Sequence, residues 1–419
     1  MPNPAASAPL ARVAPPASRD LPVNRRTDNR PRLHVIAIGG PHQFAHFIPV
    51  ACEMRRAGHW DVRIFAPSEQ DARVIAALAD RIGLPAPAIQ VMRLPASMER
   101  RLPHKAQKGA RLLAWARRIR AADALLCAER TSTMLKRLPG RCPPIIHIPH
   151  GAGDRAVGFE PRFALFDHVL VAGDKDRNRL IASGRVAPHA CAVVGPIKIA
   201  AMLRAGRTAP RLFDNDRPTI LYNPHFHRKL GSFDTFARRL IDAVASDGRY
   251  NLVVAPHVRL AEGWSEEQRR IWTRLSVPGR IIVDLGSERS IDMSYTLGAD
   301  LYIGDVSSQV YEYLIRPRPC LFINSHDADW RDSPDYAMWR FGPVATPDCD
   351  IDAALRDAFA SHDLFRAVQV EKVARALAHI NADAAGGPSI LASDPIAVAA
   401  SHIDSLFAPT TANTALTAA

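Results

Sequence analysis

The chain has 419 residues, 47% of them hydrophobic and 23% charged, which suits a globular protein long enough for two domains with separate cores. No apolar run approaches the roughly 20 residues that a membrane-spanning helix needs, so an integral membrane protein is excluded. The formal charge of +12 is concentrated in residues 1–30, with five Arg against two Asp, and in residues 99–120, with eight Lys or Arg against one Glu; the rest is near neutral, which argues against a nucleic-acid groove and for an acidic surface as partner.

Residues 1–30 mix Pro, Ala and Arg without an apolar period and are expected to be a disordered tail. Every candidate for the apolar core of a secretory signal is interrupted there by Pro, Arg or Ser, so the protein is expected to stay in the cytoplasm. The cysteines at 52, 127, 142, 191, 320 and 349 form no CxxC and read as reduced core residues. The folded part opens with an apolar strand, 33–38, a turn Gly39-Gly40-Pro41-His42 and a helical pattern over 44–57. The turn lacks GxGxxG, so its glycines predict a tight turn under an acceptor site rather than a dinucleotide fingerprint.

Further strands are predicted at 62–65, 89–94, 124–127, 145–148 and 168–171. After a break around 196–217 come 219–223, 251–255, 281–283, 301–303 and 320–323. Alternation of short apolar strands with helical segments means parallel sheets covered by helices. The economical division is an N-terminal Rossmann-like domain over 31–197, a C-terminal Rossmann-like domain over 198–407 and a loose tail over 408–419. Two such domains face each other with the carboxyl ends of their strands around one cleft, where open α/β sheets bind ligands.

Three histidine loops follow strand ends. The strand 145–148 runs into Pro149-His150-Gly151, and 251–255 runs into Pro256-His257. A histidine on a glycine-rich loop at a strand tip titrates near neutrality and can act as base toward a hydroxyl, although many such residues are structural. The loop after 219–223 holds His225, with Arg228 and Lys229 as candidates for phosphate oxygens or simply a solvated basic loop.

The stretch 299–324, ADLYIGDVSSQVYEYLIRPRPCLFIN, reads as strand, polar turn, helix and strand. Ser307-Ser308 fall at the start of a helix expected to run to about Ile315, where unpaired N–H groups and two hydroxyls could cradle a diphosphate. Glu312 lies four residues past Ser308 and could take the hydroxyls of a ribose. The same residues also fit an ordinary capped helix in a buried α/β unit.

Taken together, His150-Gly151, YNPHFHRK, APH and GDVSSQVYEYLIRPRPCLFIN resemble the bacterial CDP-glycerol glycerophosphotransferase family over about 143–324. The resemblance implies a GT-B fold, with His150 as base and His257 supporting the donor phosphate. It also implies that Asp305-Val306-Ser307-Ser308 stands for an aspartate-aromatic-serine-serine signature that binds the diphosphate. Tyr311-Glu312 and Arg318-Pro319 stand for the family's phenylalanine-aspartate and lysine-proline. Val306 replaces the aromatic, and Pro224-His225-Phe226-His227-Arg228 replaces a proline-threonine turn.

The implied reaction moves a glycerol-phosphate or glycosyl group from a nucleotide-diphospho donor to a hydroxyl of a cell-envelope glycan or lipid-linked acceptor, with no cofactor and no metal. The aspartate pairs 214/216, 327/329 and 350/352 read as turns and caps. Two other readings stay open. A UDP-N-acetylglucosamine 2-epimerase typically has serine-glycine-glycine where Val306-Ser307-Ser308 stand, and a non-catalytic precursor-binding protein would be expected to lose His150, His257 or the serines. Finally, residues 99–120 contain a basic amphipathic helix with Leu112, Trp115, Ala116 and Ile119 on one line. It is either packed on the first sheet with a solvated face, or it also meets anionic lipid at the inner face of the cell membrane.

Overall fold

Strands that are apolar on both faces are stable only when both faces are covered, and that condition organises the molecule. The computed structural model describes residues 30–155, 159–207, 209–381 and 390–408. Of the tails expected over 1–30 and 408–419, residues 1–29 and 409–419 lie outside the described residues. The first sheet holds β1 (Arg32–Ile36), β2 (Asp61–Ala66), β3 (Ala88–Val91), β4 (Ala124–Cys127), β5 (Ile145–His147), β6 (His168–Val171) and β7 (Cys191–Val193), in the order β3-β2-β1-β4-β5-β6-β7. The second holds β8 (Thr219–Asn223), β9 (Asn251–Val254), β10 (Ile281–Val283), β11 (Leu301–Gly304), β12 (Cys320–Ile323) and β13 (Val344–Ala345), in the order β10-β9-β8-β11-β12-β13.

Every pairing within these sheets is parallel. The order reverses between β1 and β4 in one sheet and between β8 and β11 in the other. In open α/β sheets the crevice outside the carboxyl ends at such a reversal is where ligands bind. The loops after β1, β4, β8 and β11 are therefore the ones to inspect.

Every strand expected from the sequence is present, and two were not foreseen: β7, Cys-Ala-Val, and β13, Val-Ala, are too short to show a period. The helix expected over 44–57 is two pieces, Pro41–Phe44 and Ile48–Ala57. Pro49 sits in the first turn of the second piece, where its missing N–H costs nothing, so it restarts the helix there. The helix expected from Ser308 to Ile315 spans only Gln309–Tyr313.

The halves are packed together. One apolar cluster includes Leu33 and Ile64 of the first sheet and Leu221 and Tyr302 of the second. The last described helix, Pro395–Phe407, returns to pack on Ile48–Ala57 and Ile197–Arg204. There Trp60 Nε1 donates to Asp404 at 2.6 Å. Among the described residues all six cysteines are free, and no helix is long and apolar enough to cross a membrane.

The basic amphipathic helix is His104–Ile119, with Leu112, Ala116 and Ile119 buried. Several of its cations have partners within the fold. Lys108 pairs with Glu129 at 3.3 Å and Arg111 with Glu99 at 2.6 Å. Arg120 donates to the carbonyls of Pro139, Gly140 and Arg141. Arg117 and Arg118 remain exposed, as do Arg100 and Arg101 on the preceding helix Ala96–Arg101.

Candidate functional site

The second half builds its side of the site from the ends of β8, β9 and β11. Asp305, 1% exposed, accepts from the backbone N–H of His225 at 2.9 Å, of Ser232 at 2.8 Å and of Val306 at 2.6 Å, and from the Ser232 hydroxyl at 3.0 Å. Burial pushes its carboxyl up, and the four donors pull the other way. Asp305 thus ties the β8 loop to the β11 loop and sets where His225 stands. The Ser307 hydroxyl donates to Asn223 Oδ1 at 2.7 Å and is buried. Its neighbour Ser308 is only half-buried, has no side-chain cap bond, and lines a small cavity at the junction of the halves.

Histidines make up the next layer. The ring centroids of His225 and His257 lie 6.0 Å apart, with Phe226 4.9 Å from His257 and the Arg259 guanidinium 4.2 Å over Phe226. Burial drives His225 and His257 down to about 3, reinforced by the nearby guanidinium groups, Arg155 and Arg259 beside His225 and Arg259 beside His257. Both are neutral at ordinary pH. Arg228 and Lys229 are exposed, and Arg228 is paired with Asp234 at 2.9 Å. Arg155 and Arg259 are therefore the cations closest in effect to the histidines, and neither stood out in the sequence.

The first half contributes His150 from the loop after β5. Its ring is exposed to the cleft, yet the protein packed around it lowers its pKa, an effect the Glu129 carboxylate opposes. Gly151 has φ of +99°, and a Cβ there would lie 2.8 Å from Ser308 Oγ. Only glycine meets both demands, so this loop can touch the serine turn of the other half. His42, from the turn after β1, stands between the two sides, with ring centroids 6.1 Å from His150 and 5.9 Å from His257. Burial first, then the two neighbouring imidazoles, lowers it to about 3.

Two buried carboxylates lie behind these rings, and Asp154 joins the halves. Asp154 accepts from Tyr311 Oη at 2.8 Å, Lys175 Nζ at 2.7 Å and the Met338 N–H at 2.9 Å. Glu312 is held by Lys198 Nζ at 2.8 Å to each oxygen. Glu312 and Ser308 line the same cavity of about 40 Å³, as their spacing predicts, together with His46 and Lys198. His42, Gln43, Glu129, Lys198 and Asp154 were not singled out from the sequence. Gln43 and Glu129 follow strands at the first switch point, and that position is the signal that could have found them. Among the described residues no group of three or more His, Cys, Asp or Glu is placed to hold a metal ion.

Two Rossmann-like sheets with this strand order, meeting at their switch points, define a GT-B-like fold. No family model and no curated sequence matches the chain. Solved structures do match. A UDP-N-acetylglucosamine 2-epimerase aligns with a TM-score of 0.57 at 11% identity, over 93% of this chain and 99% of that one. The wall teichoic acid polymerase TagF aligns with a TM-score of 0.54 at 12% identity, over 89% of this chain and 87% of that one. The UDP-GlcNAc 2-epimerase from Neisseria meningitidis bound to UDP-GlcNAc aligns with a TM-score of 0.51 at 12% identity, over 89% and 98%.

Proposed function

We propose that the chain is an enzyme that transfers a glycerol-phosphate or glycosyl group from a nucleotide-activated donor to a hydroxyl of a cell-envelope glycan or glycolipid. One observation carries this reading: a cleft-exposed histidine, His150, is held by a glycine against the Ser308 turn of the other half, within one ring of His42 and two of His257. A base on one side faces a set of neutral hydrogen-bond donors on the other, which is the arrangement an in-line displacement requires.

In this mechanism the donor diphosphate lies against Ser308, His257 and the β11 turn, with Glu312 toward the ribose once Lys198 shares its charge with the phosphates. His150 takes the proton of the acceptor hydroxyl, whose oxygen forms the new bond. With a CDP-glycerol donor the attack is on phosphorus and CMP departs; with a nucleotide sugar it is on the anomeric carbon and the nucleoside diphosphate departs. Asp305 and Ser307 hold the turn rather than the ligand. The half that carries 31–197 meets the acceptor, and its exposed arginines beside the helix His104–Ile119 suit a lipid-linked acceptor on an anionic membrane.

A 2-epimerase is the second reading, favoured by the alignment of two such enzymes over nine-tenths or so of the chain. The deciding experiment incubates the protein with CDP-glycerol or UDP-N-acetylglucosamine, with and without lipid-linked acceptor, and follows CMP, CDP, UDP and epimerised sugar. Acceptor-dependent nucleotide release supports transfer. Epimerised sugar without nucleotide release replaces it with the second reading, and binding without either product leaves a precursor-binding protein.

A further inference from the structure

Behind His150 lies a buried amide whose orientation the surrounding charges dictate. Gln43, 2% exposed, donates from Nε2 to Glu129 Oε1 at 3.2 Å, and the same nitrogen lies 3.4 Å from His150 Nε2. Glu129 in turn accepts from Lys108 Nζ at 3.3 Å. Burial alone would push the Glu129 carboxyl up, but its neighbours, the Lys108 cation first among them, hold it below the ordinary value. An ionised carboxylate only accepts, so the Gln43 amide must present N–H, not oxygen, on this side.

The second hydrogen of that amide then points at His150 Nε2. A nitrogen that faces a donor must keep its lone pair, and in a neutral imidazole the proton is then on Nδ1. The opposite Gln43 atom, Oε1, has no partner and lies over Gly39, where a Cβ would come within 1.6 Å of it. Gly39 shows no positive φ, so the lack of a side chain there serves the space that Gln43 occupies.

We propose that Gln43, aimed by Glu129, is a positioning residue that fixes His150 in the Nδ1–H tautomer, with the Nε2 lone pair held ready until an acceptor hydroxyl displaces the amide. This rests on the reading of His150 as the base. Glu129 and Gln43 act through His150 and are not required to touch either substrate. The glycine at 39 is part of the same device, because any larger residue would evict the amide from its place.

The test reads the tautomer directly, without substrate. In 15N-histidine-labelled protein, long-range proton–nitrogen correlation spectra distinguish protonated from bare ring nitrogens, and His150→Gln identifies the His150 signals by their loss. The expected wild-type pattern at neutral pH is Nδ1 protonated and Nε2 bare. Gln43→Leu, Glu129→Gln and Gly39→Ala should each shift His150 toward the Nε2-protonated form or a mixture. His34, which bonds the Ile119 carbonyl at 2.9 Å, should keep its pattern and so report that the fold is intact. An Nε2–H pattern in the wild type, or an unchanged His150 pattern in the folded variants, overturns the inference. Because no donor is present, failure of the transferase reading would show only in the product assay and failure of this one only in the spectra.

Discussion

Ser307 and Ser308 are adjacent in sequence and unlike in environment. The Ser307 hydroxyl is committed to Asn223, while Ser308 faces the cavity and the Gly151 loop. Ser308→Ala should therefore weaken donor binding about tenfold to a hundredfold, the loss of one hydrogen bond to a charged group, with little effect on stability. Ser307→Ala should do the reverse, costing about 1 kcal/mol of stability with a smaller loss of affinity. Calorimetric titration with CDP-glycerol and UDP-N-acetylglucosamine, beside denaturant melts, separates the two; equal affinity losses would remove the distinction. The paired test of the histidines follows the same logic. His150→Ala should abolish turnover and leave donor affinity nearly intact, whereas His257→Ala should damage both. Near-normal turnover in folded His150→Ala would take His150 out of the mechanism. The candidate histidines could be found from the sequence because each follows a strand end. His42, Gln43 and Glu129 also follow strand ends, but their roles come from contacts between distant parts of the chain, as where Gln43 meets Glu129 and His150 across 86 and 107 residues.

At the scale of elements, β1 to β6 and β8 to β12 were legible because each carries at least two adjacent apolar residues, most of them three or more, between turn formers or helical segments. The cations of the helix His104–Ile119 were legible only as a count. The structure sorts them, with Lys108, Arg111 and Arg120 held by internal partners and Arg100, Arg101, Arg117 and Arg118 exposed. Leu113 and Met98, 50% and 40% exposed, stand among these arginines. A patch of cations with apolar tips suits an anionic bilayer surface, at about 1 kcal/mol per cation. The protein should sediment with phosphatidylglycerol vesicles at low salt, much less with phosphatidylcholine, and lose binding as salt rises. Changing Arg100, Arg101, Arg117 and Arg118 to Gln should abolish this. Changing Arg111 and Arg120 should instead lower stability, because it frees Glu99 and the three carbonyls. Equal sedimentation with both lipids, or no loss in the fourfold variant, would leave these charges as a solvated face.

The whole molecule concentrates neutral histidines where its halves meet, and this sets how it responds to acid. His42, His225 and His257 each titrate near 3 in the folded protein against an ordinary value of 6.5, chiefly because burial disfavours the charged ring. Between those values the unfolded chain binds more protons than the folded one. Stability is therefore fully present above 6.5 and falls as the pH drops toward 3. Each ring should cost on the order of 1 kcal/mol for the first pH unit below its ordinary value, a figure discounted for partial exposure. Carboxylates held low, such as Glu129, act in the same direction only below their ordinary 4.5, so the window from 6.5 to about 5 lies above them. Denaturant melts across that window should show the midpoint falling with pH. Replacing His42, His225 and His257 together by Gln should flatten the slope, with a remainder from the other histidines that burial depresses, among them His34, His46, His147 and His150. If the triple variant keeps the full slope, the acid sensitivity lies elsewhere and the rings at the junction are not the groups that must charge before the halves come apart.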